Sequence, residues 1–254
     1  MNTDLAKRMI DEADDMGIPA LKFNWRGEST LHQDFTEILK YANHKKSFYD
    51  IIVNTNGNVP DHAMKGLLYT SKVVVSVDAF GKDTYRTMRK GGDIRTVCNT
   101  INYLIEHGHD NIWIRRVITK KNQQEEFVQI AKDAFGDKVK ISEHYCFDRN
   151  KKETHQTTKK TTKRLYCGYP SQRLVIATDG MVYPCCVDYD ESMPVGDVSK
   201  MGLMDIWQSP KMVDLRFLLR KKQFEPWMDQ CENCTSWMSY DSIERQFIQD
   251  RAVR

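Results

Sequence analysis

The sequence predicts an α/β protein in which a parallel sheet packs against helices and is followed by a small cysteine-rich domain. Three observations carry this reading. Strand-like and helix-like periodicities alternate over about the first 140 residues, the order that builds parallel sheets. The alternation stops at Cys146 and gives way to a basic, Thr-rich stretch with almost no apolar residues. Five of the seven cysteines lie between residues 167 and 234, and none precedes Cys98.

Residues 3–16 place Leu5, Met9, Ile10 and Ala13 on one helical face, and Gly17 ends that helix. Residues 18–24 (IPALKFN) read as a strand. Asp34 is expected to cap the next helix, with Glu37 three residues on as in a capping box and Phe35, Ile38, Leu39 and Ala42 on its apolar face. Residues 49–53 form a short buried strand running into the turn-forming Asn54-Thr55-Asn56-Gly57. A helix over 59–69 leads to the β-branched strand 72–77 (KVVVSV), then to a helical region over 83–107 broken near Gly91-Gly92. Strand 111–118, helix 123–135 and strand 138–144 complete the series. Parallel strands joined by helices cross over right-handedly, and their functional groups collect at the C-terminal strand ends. The expected organisation is a sheet domain over 1–146, a linker over 147–164 and a cysteine-rich domain over 165–254. That last domain includes an amphipathic helix at 236–250, expected to dock on the sheet domain.

Composition narrows the function. Lys and Arg number 38 against 35 Asp and Glu, a net charge of +3, too near balance to point to nucleic acid. The basic run (Arg149, Lys151, Lys152, Lys159, Lys160, Lys163 and Arg164) reads as a solvated linker. No apolar run of about 18 residues is present, and the N-terminal segment lacks a signal-peptide pattern, so the expectation is a cytoplasmic protein without a membrane partner. In such a compartment clustered cysteines point to metal rather than to disulfides.

Cys167, Cys185, Cys231 and Cys234 are the expected metal ligands. Two thiolates separated by two residues can face one centre, and four of them complete either a tetrahedral zinc site or an iron–sulfur cluster. The alternative, buried cysteines acting as small hydrophobes, fits poorly with a Cys231-Glu232-Asn233-Cys234 segment followed by Thr235. Cys186 is expected to face away from Cys185 and to pack as a neighbour, because adjacent residues of an extended segment point to opposite sides. Cys98 beside Val97 and Ile101 reads as core, and Cys146 receives no role. Trp207, Trp227 and Trp237 flank the cysteine segments and read as core of a small domain.

The run from Cys167-Gly168-Tyr169-Pro170 through the Asp179-Gly180 hairpin turn to Cys185, then Val195-Gly196-Asp197-Val198, the LMDIWQSPKMVDLR segment and Cys231-Glu232-Asn233-Cys234, resembles a SPASM or twitch domain. That is the auxiliary-cluster domain of radical S-adenosylmethionine (SAM) enzymes, and the likeness covers about 70 residues. Trp25-Arg26-Gly27-Glu28 is similar to the family's Gly-Gly-Glu motif, and Thr55-Asn56-Gly57 and Ser76-Val77-Asp78 look like its later strand ends. The resemblance implies a partial (β/α)6 TIM-like radical SAM barrel missing its first strand, followed by an auxiliary [4Fe–4S] domain. It implies S-adenosylmethionine as a cofactor, with Glu28 accepting from its amino group. Asn56 and Ser76 join as cofactor-binding candidates, with one of Arg115 and Arg116, since strand alternation turns only one of them inward. Substrates of the family are peptides, proteins or small alcohols, with hydrogen-atom abstraction as the chemistry.

The family's C-x-x-x-C-x-x-C motif does not occur in these 254 residues. Three arrangements fit that: upstream residues that carry it, a second polypeptide that supplies it, or a non-catalytic iron–sulfur or zinc-binding scaffold. The intact Glu28 and strand-end motifs favour the first two together. An absent first strand would leave the edge at 18–24 unpaired.

Overall fold

The computed structural model describes residues 1–145, 166–188, 190–232 and 234. The expected linker at 147–164, Cys146, Trp237 and the expected helix at 236–250 lie outside the described residues. The chain divides into two compact units, residues 2–157 and residues 158–254.

The first unit opens with α1 (Thr3–Asp15), capped by the Asn2 side chain on Leu5 N–H and burying Met9, Ile10 and Ala13. Strand β1 (Ala20–Phe23) leads to α2 (Phe35–Asn43), which buries Phe35, Ile38, Leu39 and Ala42. The capping box does not form. The Asp34 carboxylate instead accepts from Thr3 Oγ1 at 2.5 Å, and Glu37 pairs with Lys7 at 2.5 Å. Both carboxylates therefore clamp α1 to α2, a tertiary demand that outweighs the local cap.

Strand β2 (Asp50–Thr55) is followed by α3 (Asp61–Met64), which tightens into a 3-10 turn over Lys65–Tyr69. Strand β3 (Lys72–Ser76), helices α4 (Lys82–Met88) and α5 (Ile94–Glu106), strand β4 (Ile112–Ile118), helix α6 (Phe127–Phe135) and strand β5 (Val139–Tyr145) follow in order. All five strands are parallel in the order β1-β2-β3-β4-β5, so among the described residues β1 forms one edge.

Strand alternation sorts the sheet into two faces. Val73, Val75, Ile112, Ile114 and Val139 join Leu39, Val97, Ile101, Leu104, Phe127 and Ala131 of the helices in one core. The intervening positions, Lys72, Val74, Ser76, Trp113, Arg115, Lys140 and Ser142, form the second face. Gly57 shows how tightly the helix side is closed. A Cβ there would stand 2.7 Å from Val97 and 2.9 Å from Val75, and its φ of +82° is in the left-handed region.

The second unit carries β6 (Val175–Ile176), β7 (Met181–Tyr183) and β8 (Gly196–Asp197) in one antiparallel sheet. The β6–β7 hairpin turns at Gly180, whose φ is +95°, as the Asp179-Gly180 pair predicts. Helix α7 (Leu203–Trp207) packs Ile206 against Gly196, where a Cβ would stand 2.7 Å away. Helix α8 (Pro210–Lys221) is capped by Ser209 and starts with proline at its first position, and α9 (Asp229–Glu232) follows. Arg216 lies over the Trp207 ring at 3.8 Å and donates to Pro170 O at 2.9 Å, and Lys211 lies 5.5 Å from the centroid of the Trp227 ring.

Candidate functional site

Two constellations bear chemistry, one in each unit. The first lies at the C-terminal strand ends of the parallel sheet. Glu28, in the segment after β1, turns its carboxylate to the segment after β2: Oε2 accepts from Asn56 N–H at 2.7 Å. Its Oε1 accepts from Thr30 Oγ1 at 2.9 Å and from Thr30 N–H at 3.4 Å. The Asn56 side chain in turn accepts from Asn58 N–H at 2.8 Å. The two sequence-derived candidates Glu28 and Asn56 are thus held together. A carboxylate offers about four acceptor positions. These bonds use three, so Oε2 retains one for a further donor.

Ser76 and Arg115 are register partners on the second face of the sheet, and Arg115 Nε donates to Ser142 Oγ on the next strand at 3.4 Å. Arg116 takes the opposite direction and corrects its place among the cofactor candidates. It is buried on the helix-covered face, paired with Glu143, donating to the carbonyls of Asn122 (3.2 Å) and Glu125 (3.1 Å) and lying 4.7 Å from the centre of the Phe127 ring. Its guanidinium is committed to closing the β4–α6 connection.

The residues that brace this edge carry weaker sequence signals. Asp78, two residues after the end of β3, is buried with a left-handed φ of +63°. Its carboxylate accepts from Arg89 at 2.7 Å and from Val117 N–H at 2.8 Å, while its carbonyl accepts from Asn122 Nδ2 at 2.7 Å. Glu125 caps the next turn through Phe80 N–H at 2.5 Å. A non-glycine residue in that backbone region costs roughly 1–2 kcal/mol and persists only where its surroundings fix it. Burial pushes the Tyr85 phenol above its usual range, and the Asn58 side chain donates to its hydroxyl at 3.4 Å.

The second constellation lies in the smaller unit. Cys167, Cys185, Cys231 and Cys234 line one pocket, with Pro170, Pro184, Val187, Met193 and Leu219 among its walls. Turns place three of the four thiols. Cys185 opens a turn closed by Asp188 N–H on its carbonyl at 3.2 Å, and its Sγ accepts from Val187 N–H at 3.3 Å. Cys231 and Cys234 share a turn closed at 3.3 Å. Buried Asp188 ties down the following loop through Ser192 and Met193.

Cys186 is exposed rather than packed, because the segment is a turn and not an extended strand. A hydrogen bond to Cys186, burial and the nearby Cys167 thiol hold the Cys185 thiol well above its usual range. Cys98 sits in α5, partly buried against the core, where burial raises its thiol as expected of a structural cysteine. Four sulfur donors in an apolar-walled pocket fit a soft metal centre. Among the described residues no three such side chains close on a point that would hold a single ion.

A protein-family model matches residues 1–134 as the radical SAM superfamily. The chain belongs to that superfamily. A second model, described as an iron–sulfur cluster-binding domain (SPASM), matches residues 167–235 and so spans all four pocket cysteines. A curated relative, an S-adenosyl-L-methionine-dependent 2-deoxy-scyllo-inosamine dehydrogenase from Niallia circulans, is 31% identical over 70 residues, which is 28% of this chain and 28% of that relative. Among solved structures, SuiB of Streptococcus suis bound to S-adenosylmethionine superposes with a TM-score of 0.66 at 15% identity, covering 85% of this chain and 61% of that one. Native anSMEcpe, solved with bound AdoMet and a Cp18Cys peptide, gives a TM-score of 0.63 at 16% identity over 93% of this chain and 79% of that one. These superpositions show a shared fold. No helix among the described residues is long and apolar enough to cross a membrane.

Proposed function

We propose that this chain provides the cofactor-facing sheet and the auxiliary iron–sulfur domain of a radical SAM oxidoreductase acting on a peptide or small molecule. The observation that carries the reading is the single pocket lined by Cys167, Cys185, Cys231 and Cys234 inside the segment that matches a cluster-binding domain. These four thiolates would hold a [4Fe–4S] cluster. Four thiols around one pocket, inside a segment that matches an iron–sulfur cluster-binding domain, support a polynuclear core over a single zinc ion.

Glu28 would accept a hydrogen bond from the S-adenosylmethionine ammonium through the free position on Oε2, while its bond to Asn56 N–H keeps the carboxylate in place. Ser76 and Arg115 share the second face of the sheet and would meet the ribose or carboxylate. When bound beside a site-differentiated cluster, S-adenosylmethionine supplies the oxidising radical. The reading requires a C-x-x-x-C-x-x-C segment beyond these 254 residues, upstream or on a second polypeptide.

The dehydrogenase and the peptide complex among the relatives support both substrate classes. A non-catalytic scaffold is the competing reading. Co-expression with the upstream segment, followed by S-adenosylmethionine cleavage assayed as 5′-deoxyadenosine, separates the two. Cleavage that depends on Glu28 is expected, and none from any motif-complete form would refute the enzyme reading.

A further inference from the structure

The connection between β7 and β8 offers a metal two adjacent thiols. Cys185 lines the pocket and Cys186 is exposed, yet the two thiols are within hydrogen-bonding reach of each other. Cα atoms joined by a trans peptide stand about 3.8 Å apart. A slip of one residue along this turn would therefore exchange one sulfur for the other without unfolding the unit.

A set of bonds built around Asp188 opposes that slip. Val187 N–H donates to Cys185 Sγ at 3.3 Å, and Asp188 N–H donates to Cys185 O at 3.2 Å. Asp188 is 1% exposed, and its carboxylate reaches across to the returning limb of the connection. Its Oδ1 accepts from Ser192 N–H at 3.0 Å and from Ser192 Oγ at 2.8 Å, and its Oδ2 accepts from Met193 N–H at 2.9 Å. Met193 is itself buried and lines the pocket, and Val195 N–H then donates to Val182 O of β7 at 2.8 Å. One side chain thus ties both limbs. A buried carboxylate that gives up such donors keeps the cost of its desolvation, so the connection holds one conformation. In that conformation the Val187 amide points at the Cys185 sulfur, and a hydrogen bond to a charged acceptor is the stronger kind. Metal binding requires the deprotonated sulfur, so the same amide favours Cys185 as ligand.

We propose that Asp188 is a positioning residue that selects Cys185 over Cys186 as the metal ligand, by locking the turn that carries Val187 N–H to the Cys185 sulfur. That the metal is an iron–sulfur cluster rests on the radical SAM reading above; the choice between the two thiols does not.

The test is iodoacetamide labelling of the anaerobically reconstituted chain, mapped by peptide mass spectrometry, with folding checked by circular dichroism. In the wild type Cys186 should be labelled and Cys185 protected. Asp188→Asn keeps the volume but offers one acceptor oxygen in place of two. The ratio of Cys186 to Cys185 labelling should fall about threefold or more, the size of one hydrogen bond, with iron per chain unchanged. Adding Asp188→Asn to Cys185→Ser should likewise raise the iron held about threefold or more over Cys185→Ser alone. Ser192→Ala removes only the bond from the hydroxyl and should shift the label the same way, less far; it carries the test should the Asn variant not fold. A wild-type pattern in every folded variant overturns the proposal, as does a wild type in which Cys186 is the protected thiol. Loss of iron in folded Asp188→Asn with Cys186 still fully labelled also overturns it, since a merely structural role lowers the loading without redistributing the label. Zinc in place of iron, with Cys185 protected and the same shift in the variant, would instead refute the cluster reading and leave the selection by Asp188 standing.

Discussion

Arg115 and Arg116 are neighbours with opposite expected phenotypes. Replacing Arg116 by Met removes its pair with Glu143 and its bonds to the carbonyls of Asn122 and Glu125, while methionine keeps most of the contact with Phe127. Bonds from a charged donor contribute about 1.5–3 kcal/mol, and breaking a fully buried pair costs about 3–5 kcal/mol. Glu143 retains 31% of its side-chain exposure and can rehydrate, which lowers the cost to about 2–4 kcal/mol. At about 2–4 °C per kcal/mol for a unit of this size, Tm falls by roughly 5–15 °C. Arg115→Met removes one 3.4 Å hydrogen bond and a half-buried unpaired charge, so stability changes by less than about 0.5 kcal/mol. Thermal unfolding followed by circular dichroism on both variants makes the comparison. Equal destabilisation, or a neutral Arg116→Met, would refute the assignment of the two arginines to opposite faces.

Glu28→Gln keeps the volume but weakens the acceptor. S-adenosylmethionine affinity in a motif-complete form should fall about tenfold or more by calorimetry, the size of one charge-assisted bond, with Tm little changed. Gly57→Ala forces a Cβ against Val97 and Val75 in a left-handed backbone and should destabilise the sheet unit by about 2–4 kcal/mol in urea unfolding. Because metal-bound thiolates couple binding to folding, anaerobic chelation should lower the unfolding midpoint of the smaller unit measurably, and reconstitution should restore it.

The order of the sheet domain is legible in the sequence because each strand is short, β-branched and bounded by turn residues, and each helix carries one apolar stripe. Element ends are less so: the expected helix at 123–135 begins only at Phe127, because the preceding residues form turns bonded to Asn122 and Thr119. The Asp34–Glu37 capping box fails for a reason no local pattern contains, namely that Thr3 and Lys7 of another helix claim both carboxylates. In the smaller unit the cysteine spacing identifies the pocket, but the exposure of Cys186 follows from the Cys185–Asp188 turn, which an alternation argument cannot see. Strand alternation does establish that only one of Arg115 and Arg116 faces inward; which one depends on the register with Ser76. Asp78 stands in the sequence beside Ser76, yet its left-handed backbone and its ties to Arg89, Val117 and Asn122 emerge only in three dimensions.

Iron and acid-labile sulfide counted per chain after anaerobic reconstitution test the pocket directly. The wild type should be brown, with about four irons and matching sulfide, and Cys231→Ser should lose both while Cys186→Ser keeps them. Colourless protein holding one zinc per chain, or a cluster indifferent to Cys231, would contradict the account.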